Sequence, residues 1–319
     1  MTSERRPDVI TIGIHIVDIL GRPVPAVPEG QGVALLDEIR MTVAGTGAAT
    51  AVDLARLGMR VATFAVVGDD ELGRWLTRKM AEEGIDVAGI TVDPTVPTSA
   101  TMLPIRPNGE RPALHVIGAN AKLGPEHLDW AVIERARFLH IGGTSLMARL
   151  DGEPSGEVLR RAKAAGLTTS LDLIGMPNVD HDALFGPCYP HLDYFLPNEE
   201  DALMLSGQRT RADAIRWFHD RGVGATVITL GAEGASFARA GEPETIVPAY
   251  RVEIVDTTGC GDAFSAGFIT GLAEGRALLA ATGLGVAAGS CVATGLGSDA
   301  GLTTRAALDE FVAATDRAA

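Results

Sequence analysis

Two hydrophobic patterns alternate along this chain. Short β-branched runs such as DVITIGIHIV (8–17) and RVATFAVVG (60–68) are apolar almost throughout, the pattern of strands covered on both faces. Between them, GAATAVDLARLG (47–58), closed by Gly58, and DDELGRWLTRKMAEEG (69–84) carry apolar residues at helical spacing. The alternation continues with strands around 138–141, 167–173, 194–196 and 225–230 and helices over roughly 153–165, 198–206 and 211–221. From Asp256 onward the pattern is helical, over 261–274, 277–294 and 304–316. A β-α-β-α rhythm of this kind predicts an α/β fold, a mostly parallel sheet with helices on both faces.

Two stretches break the rhythm. Residues 18–42 and 90–118 are rich in Pro, Gly, Val and Thr, with alternating segments such as SATMLPI and RPALHVI. A Pro107-Asn108-Gly109 turn joins those two segments as in a hairpin. These stretches are expected to form a small separate sheet lying over the main body as a lid. Because they are discontinuous, the lid is an insertion, and residues 1–319 are expected to form a single domain.

Charge narrows the partners. Lys and Arg number 27 against 41 Asp and Glu, a net charge of −14, and no segment gathers the basic residues into a patch. That argues against nucleic acid and anionic membranes. An acidic chain can still bind ATP through backbone N–H groups, a helix N-terminus and a metal ion. Cys188, Cys260 and Cys291 lie far apart with no metal-ligand spacing, which suggests a reducing compartment without disulfides. The N-terminal apolar run is short and lacks a signal-peptide pattern, and no later stretch is long enough to span a bilayer, so a cytoplasmic location is expected.

The segment that carries most chemistry is Asp-Thr-Thr-Gly-Cys-Gly-Asp-Ala-Phe-Ser-Ala-Gly-Phe, residues 256–268. Gly259 and Gly261 flank Cys260 at the start of a predicted helix whose first turn holds Asp262. Glycine-flanked amides at a helix N-terminus form an anion hole. A carboxylate there can accept a proton from a hydroxyl attacking phosphorus, or it can simply cap the helix. Asn198-Glu-Glu-Asp201 has the same double reading, since Asn198 is a strong N-cap and three acids suit a first helical turn.

The 256–268 segment closely resembles the second signature of the ribokinase-like (PfkB) carbohydrate kinase family, D-T-x-G-A-G-D followed by a helix, with Cys260 in place of the Ala. Other segments follow in the family's order: VAGTGAATAVDLARLG (43–58), VVGDDELG (66–73), PTSATMLPIRPNGERPALHVIGAN (97–120), LPNEEDALMLSG (196–207) and VITLGAEGA (227–235). The resemblance implies a three-layer α/β/α ribokinase-like domain with a small β-sheet lid, acting as an ATP-dependent phosphotransferase on a hydroxyl of a sugar or sugar-like molecule. It makes Asp262 the general base and the amides of Gly259, Cys260 and Gly261 the phosphate-stabilising group. It assigns Asp18 and Gly45 to the substrate, Thr229, Gly231 and Gly234 to the nucleotide, and Asn198 and Asp201 to phosphates and Mg2+. Asp256 and Thr258, with carbonyls near 292 and 295–297, are assigned to the monovalent-cation (K+) site that some members carry. Some relatives also dimerise lid to lid, which the apolar alternation in 97–118 would suit.

The chain departs from the family at three further places. Ala44 and Ala49 stand where the first signature has Gly and a sugar-binding Asn, and Asp201 stands where the family usually has Glu. A methyl cannot replace an amide's donor and acceptor, so an acceptor smaller, less hydroxylated or differently posed than ribose is expected. Two alternatives stay open: a nucleoside kinase of the same fold, and a catalytically weakened sugar- or nucleotide-binding regulatory protein. A P-loop is absent, and Gly283-Leu-Gly285 lies inside a predicted helix without the preceding strand that a dinucleotide fingerprint needs. His15 and His115 are read as single polar residues at strand ends.

Overall fold

A computed structural model describes residues 6–107, 110–298 and 300–318. The first predicted strand is in fact two. β1 (Val9–Gly13) ends at a glycine, and after Ile14 and His15 the chain enters β2 (Ile16–Arg22) of a different sheet. His15 makes this crossing possible: its N–H donates to Asn120 Oδ1 at 2.9 Å, and its fully buried ring lies 3.0 Å from the Gly13 carbonyl and 3.1 Å from the Thr63 hydroxyl. A continuous apolar run is silent about such a change of sheet, because both halves are buried.

β3 (Glu38–Ala44) follows, then α1 (Thr46–Arg56), β4 (Val61–Gly68), α2 (Glu71–Glu82), β5 (Asp86–Asp93), β6 (Ala100–Pro104) and β7 (Leu114–Val116). After α3 (Trp130–Ile133) come β8 (Phe138–Thr144), α4 (Glu153–Ala164), β9 (Thr168–Leu173), α5 (His181–Phe185), β10 (Tyr194–Phe195), α6 (Glu199–Ser206) and α7 (Arg211–His219). The remainder is β11 (Ala225–Thr229), β12 (Ala235–Arg239), β13 (Thr245–Val247), α8 (Cys260–Ala273), α9 (Leu278–Val292) and α10 (Arg305–Ala314).

Nine strands form the main sheet in the order β13-β12-β11-β10-β9-β8-β1-β4-β5, all running in one direction except β12, which pairs antiparallel with both β11 and β13 at one edge. One buried cluster packs α1, α2, α8, α9 and α10 on one face, and a second packs α4 to α7 on the other. This is the three-layer α/β/α arrangement. The order in which successive strands are added reverses between β1 and β8, which themselves run parallel, and a crevice at the carboxyl ends of strands flanking such a switch is the usual binding place in this architecture. Gly13 and Gly142 let the two strands close there, since a Cβ on Gly13 would meet the Gly142 oxygen at 2.0 Å.

A second sheet of four strands, β3-β2-β6-β7, stands at this end of the main sheet. The stretch expected over 90–118 is divided: β5, to Asp93, pairs with β4 at the main-sheet edge, and only β6 and β7 join the small sheet. The alternating pattern of β5 is that of an edge strand with one covered face, which looks the same in either sheet. The Pro107-Asn108-Gly109 turn includes residues 108 and 109, which lie outside the described residues. The small sheet is two-faced. Asp18, Thr42 and Thr101, aligned across β3, β2 and β6, are buried, whereas Met41, Ile19, Met102 and Leu114 form an aligned row on the opposite face. Met102 and Leu114 are more than half exposed there.

Candidate active site

The loop Asp256–Gly259 turns the chain into α8, and two features fix it. Gly259, the residue before the helix, has φ +80°, and a Cβ there would lie 2.6 Å from Ser298 Cα, so only glycine fits without displacement. Asp256 Oδ1 accepts from the Thr258 N–H at 3.0 Å and its hydroxyl at 2.8 Å, while Oδ2 accepts from the Gly297 N–H at 2.9 Å. Burial pushes the Asp256 carboxyl up, but these hydrogen bonds and the charge of Arg111 outweigh it and hold the group below its ordinary range.

Asp262 sits in the first turn of α8 and is 9% exposed. Its carboxyl is raised well above the ordinary value, first by burial and then by the negative charges of Asp172, Asp53 and Asp18. Three carboxylates, each from a different element, therefore act on Asp262 through their charge. Asp172 ends β9, Asp53 is fully buried on α1, and Asp18 lies on the inner face of β2. Burial carries Asp172 to about 7, with Asp201 adding to it, and Asp18 to about 6, opposed by a Thr101 hydrogen bond. α1 buttresses the site, with the Thr50 hydroxyl 3.4 Å from the Asp262 carbonyl. Gly45 begins α1 at φ +88°, where a Cβ would meet the Ile14 oxygen at 2.6 Å. Ala49 is buried one turn later.

On the other side of the α8 N-terminus lies a cavity of about 730 Å³. Thr229, Gly231 and Gly234 line it together with Cys260, Gly261 and Phe264. The three residues assigned to the nucleotide thus share one wall-to-wall space with the glycine-flanked loop. A helix N-terminus facing such a space favours phosphate through its free N–H groups. The Cys260 thiol is pushed up to about 12 by burial and the Asp256 charge, so it stays neutral.

Asn198 caps α6: its Oδ1 accepts from the Asp201 N–H at 2.8 Å, and its Nδ2 donates to Asp201 Oδ2 at 2.7 Å. A backbone bridge to Thr229 ties this cap to the end of β11. Burial lifts Asp201 to about 6 against the Asn198 hydrogen bond. Asp172 and Asp201 repel one another when ionised, and their oxygen-only donor set fits Mg2+, which binds through one or two carboxylates with phosphates supplying the rest. Among the described residues no three His, Cys, Asp or Glu side chains gather to hold a metal by themselves. A monovalent cation does not fit Asp256 and Thr258 as they stand, because both already hold Arg111.

The geometry also brings in residues that motif reading missed: Asp172, Asp53 and Arg111. Asp172 alone left a trace, a carboxylate breaking the apolar run that ends β9. The VVGDDELG segment finds its use in Asp70, which caps α2 through the Gly73 N–H at 2.8 Å and holds Thr98 by its N–H and hydroxyl. The Thr98 hydroxyl also receives the Gly68 N–H, fastening β4 to the base of the small sheet. His15 is enclosed at the crossing between sheets, and His115 bonds Thr101 within the small sheet.

Ribokinase from Haemophilus influenzae is 30% identical over 237 residues, covering 72% of this chain and 74% of that protein. Aminoimidazole riboside kinase from Salmonella typhimurium is 32% identical over 246 residues, covering 72% and 73%. A crystal structure of a ribokinase II candidate from Escherichia coli, in complex with ATP and Mg2+, superposes with a TM-score of 0.82 at 26% identity, covering 96% of this chain and 99% of that one. Residues 6–305 match the pfkB carbohydrate kinase family as a whole, and the chain belongs to that family.

Proposed function

We propose that this protein transfers the γ-phosphoryl group of ATP to a hydroxyl of a small sugar or sugar-like molecule, with Asp262 as general base. The observation that carries the reading is the position of Asp262 in the first turn of α8, between the cavity on one side and the carboxylate of Asp18 on the other. The 730 Å³ cavity reaches Cys260 and Gly261 on one side, and Asp18 contributes its charge from the inner face of the small sheet on the other. An acceptor held by Asp18 and the Gly45 backbone would present its hydroxyl to Asp262. The raised affinity of that carboxylate for a proton suits it to take one as the oxygen attacks phosphorus. The amides of Gly259, Cys260 and Gly261 would stabilise charge on the transferring group. Asp201, oriented by Asn198 and faced by Asp172, would hold Mg2+, which neutralises phosphate charge when bound. The small sheet would exclude water from the cleft and so favour the acceptor over hydrolysis.

Ala49 offers no amide to the acceptor, which favours a substrate other than ribose. The likeness to aminoimidazole riboside kinase keeps a nucleoside-type acceptor within this reading. The exposed row of Met102 and Leu114 supports self-association through the small sheet, which a Met102→Glu variant would weaken in sedimentation.

ADP release from MgATP, measured over pentoses, hexoses, sugar acids, polyols and nucleosides, tests the reading. One acceptor class should stimulate turnover, and Asp262→Asn should reduce it by about a hundredfold or more. Stimulation that survives in Asp262→Asn would remove Asp262 as the base. ATP binding without stimulation by any acceptor would favour a regulatory binding protein.

A further inference from the structure

Arg111 stands on the loop between β6 and β7, far in sequence from the segment it contacts. Its Nη1 lies 2.5 Å from Asp256 Oδ1 and also donates to the Thr258 hydroxyl, and its Nη2 donates to the Thr257 hydroxyl at 2.7 Å. The Asp256 side chain is only 5% exposed, so its charge needs a cationic partner. Its other oxygen is taken by the Gly297 N–H, and Thr258 N–H and hydroxyl already converge on Oδ1. The oxygens that a monovalent ion would need are thus already engaged by a guanidinium, a planar donor well matched to a carboxylate and two hydroxyls.

We propose that Arg111 is the resident cation of the 256–258 segment, a positioning residue that orders the entry to the anion hole so that this protein needs no monovalent metal ion there. The charge comes from the small sheet rather than from solvent. A second set of contacts holds that sheet in the same place: Ser298 Oγ donates to the Val43 carbonyl at 2.7 Å and Arg40 to the Leu296 carbonyl at 3.1 Å, both from the loop that also supplies Gly297. Neutralisation of Asp256 is therefore tied to the position of the sheet that covers the acceptor. In relatives with a free ion the two would be independent.

The first test needs no turnover and so stands apart from the kinase reading. Thermal unfolding is compared in tetramethylammonium chloride and in KCl, each at about 0.1 M ionic strength. A cation that binds the native site raises the melting temperature in a saturable way. The unaltered protein should melt within about 1 °C in both salts, by that same linkage. Arg111→Met should melt lower in tetramethylammonium and regain at least half of the loss in K+. Adding Asp256→Asn to Arg111→Met should abolish the K+ effect. With an acceptor in hand, Arg111→Met should lose about tenfold or more in kcat without K+ and recover with K+ or added guanidinium ion. The proposal is overturned by a saturable K+ gain in the unaltered protein. It is equally overturned by an Arg111→Met loss that is the same in both salts. Should Arg111→Met not fold, the unaltered protein's response to K+ decides alone, with Arg111→Lys expected to stay insensitive.

Discussion

Replacing Asp172 by Asn should stabilise the protein, and the gain should depend on pH in a defined way. Asp172 is 9% exposed, and burial together with the charge of Asp201 moves its carboxyl from 3.8 to about 7. A raised carboxylate means that the folded protein holds this proton more tightly than the unfolded chain does. The cost of ionising it is therefore absent below the unfolded value, accumulates as pH rises through the window up to the folded value, and is complete above it. At 1.36 kcal/mol per unit this cost is on the order of 4 kcal/mol, as an upper bound. Asn keeps an oxygen for the Leu173 N–H, which Asp172 Oδ1 now accepts at 2.7 Å, and removes only the charge. Local relaxation lowers the net gain to about 1–3 kcal/mol at pH 8, a few degrees in Tm for a chain of this size. Melting curves from pH 5 to 9, without nucleotide or Mg2+, should show the variant's advantage growing up to about pH 7 and then levelling. In the enzyme, losing a neighbouring negative charge lowers the affinity of Asp262 for its proton, so the acid limb of kcat/KM should move to lower pH. A constant difference across the range, or a less stable variant at pH 8, would refute the argument that burial, with the charge of Asp201 behind it, raises the Asp172 carboxyl.

Gly259→Ala, forced into positive φ and against Ser298 Cα, should lower kcat by about a hundredfold through displaced anion-hole amides, with a smaller change in acceptor KM. Gly175→Ala would place a Cβ 1.9 Å from Asp201 Oδ1, pushing the carboxylate off Asn198. It should cost about 1–3 kcal/mol in denaturant unfolding and raise the Mg2+ concentration needed for half-maximal rate. Asp70→Ala should destabilise by about 1–2 kcal/mol by removing the α2 cap and the Thr98 clasp. Burial acts to raise the Asp70 carboxyl, but the Thr98 and Gly73 hydrogen bonds outweigh it and leave it depressed. The Asp70→Ala deficit should accordingly shrink as pH falls below the unfolded value of 3.8, which urea titrations at two pH values would read.

Most of the alternating strands and helices of the main sheet and the loop at the start of α8 were legible in sequence, because each is local, whereas β12 and β13 at the sheet edge and the short α3 and α5 were not. A strand or helix declares itself by period, and Gly259-Cys-Gly-Asp262 carries its geometry in consecutive residues. Asn198 reads as a cap because the partner N–H is only three positions away. What lay beyond the sequence depends on contacts between distant segments. The change of sheet at Ile14 and His15 is hidden inside one apolar run, since burial is the same on both sides of the crossing. β5 reads as small-sheet material because an edge strand has the same alternation in either sheet. The carboxylate cluster is assembled from α1, β2, β9 and α8, and the raised proton affinities of Asp18, Asp172 and Asp262 come first from burial in the folded protein and then from neighbouring charge. Arg111 reaches Asp256 across 145 residues, a separation at which no spacing rule applies. Sequence thus fixed which groups the site could use, and tertiary packing decided which of them face one another and at what charge.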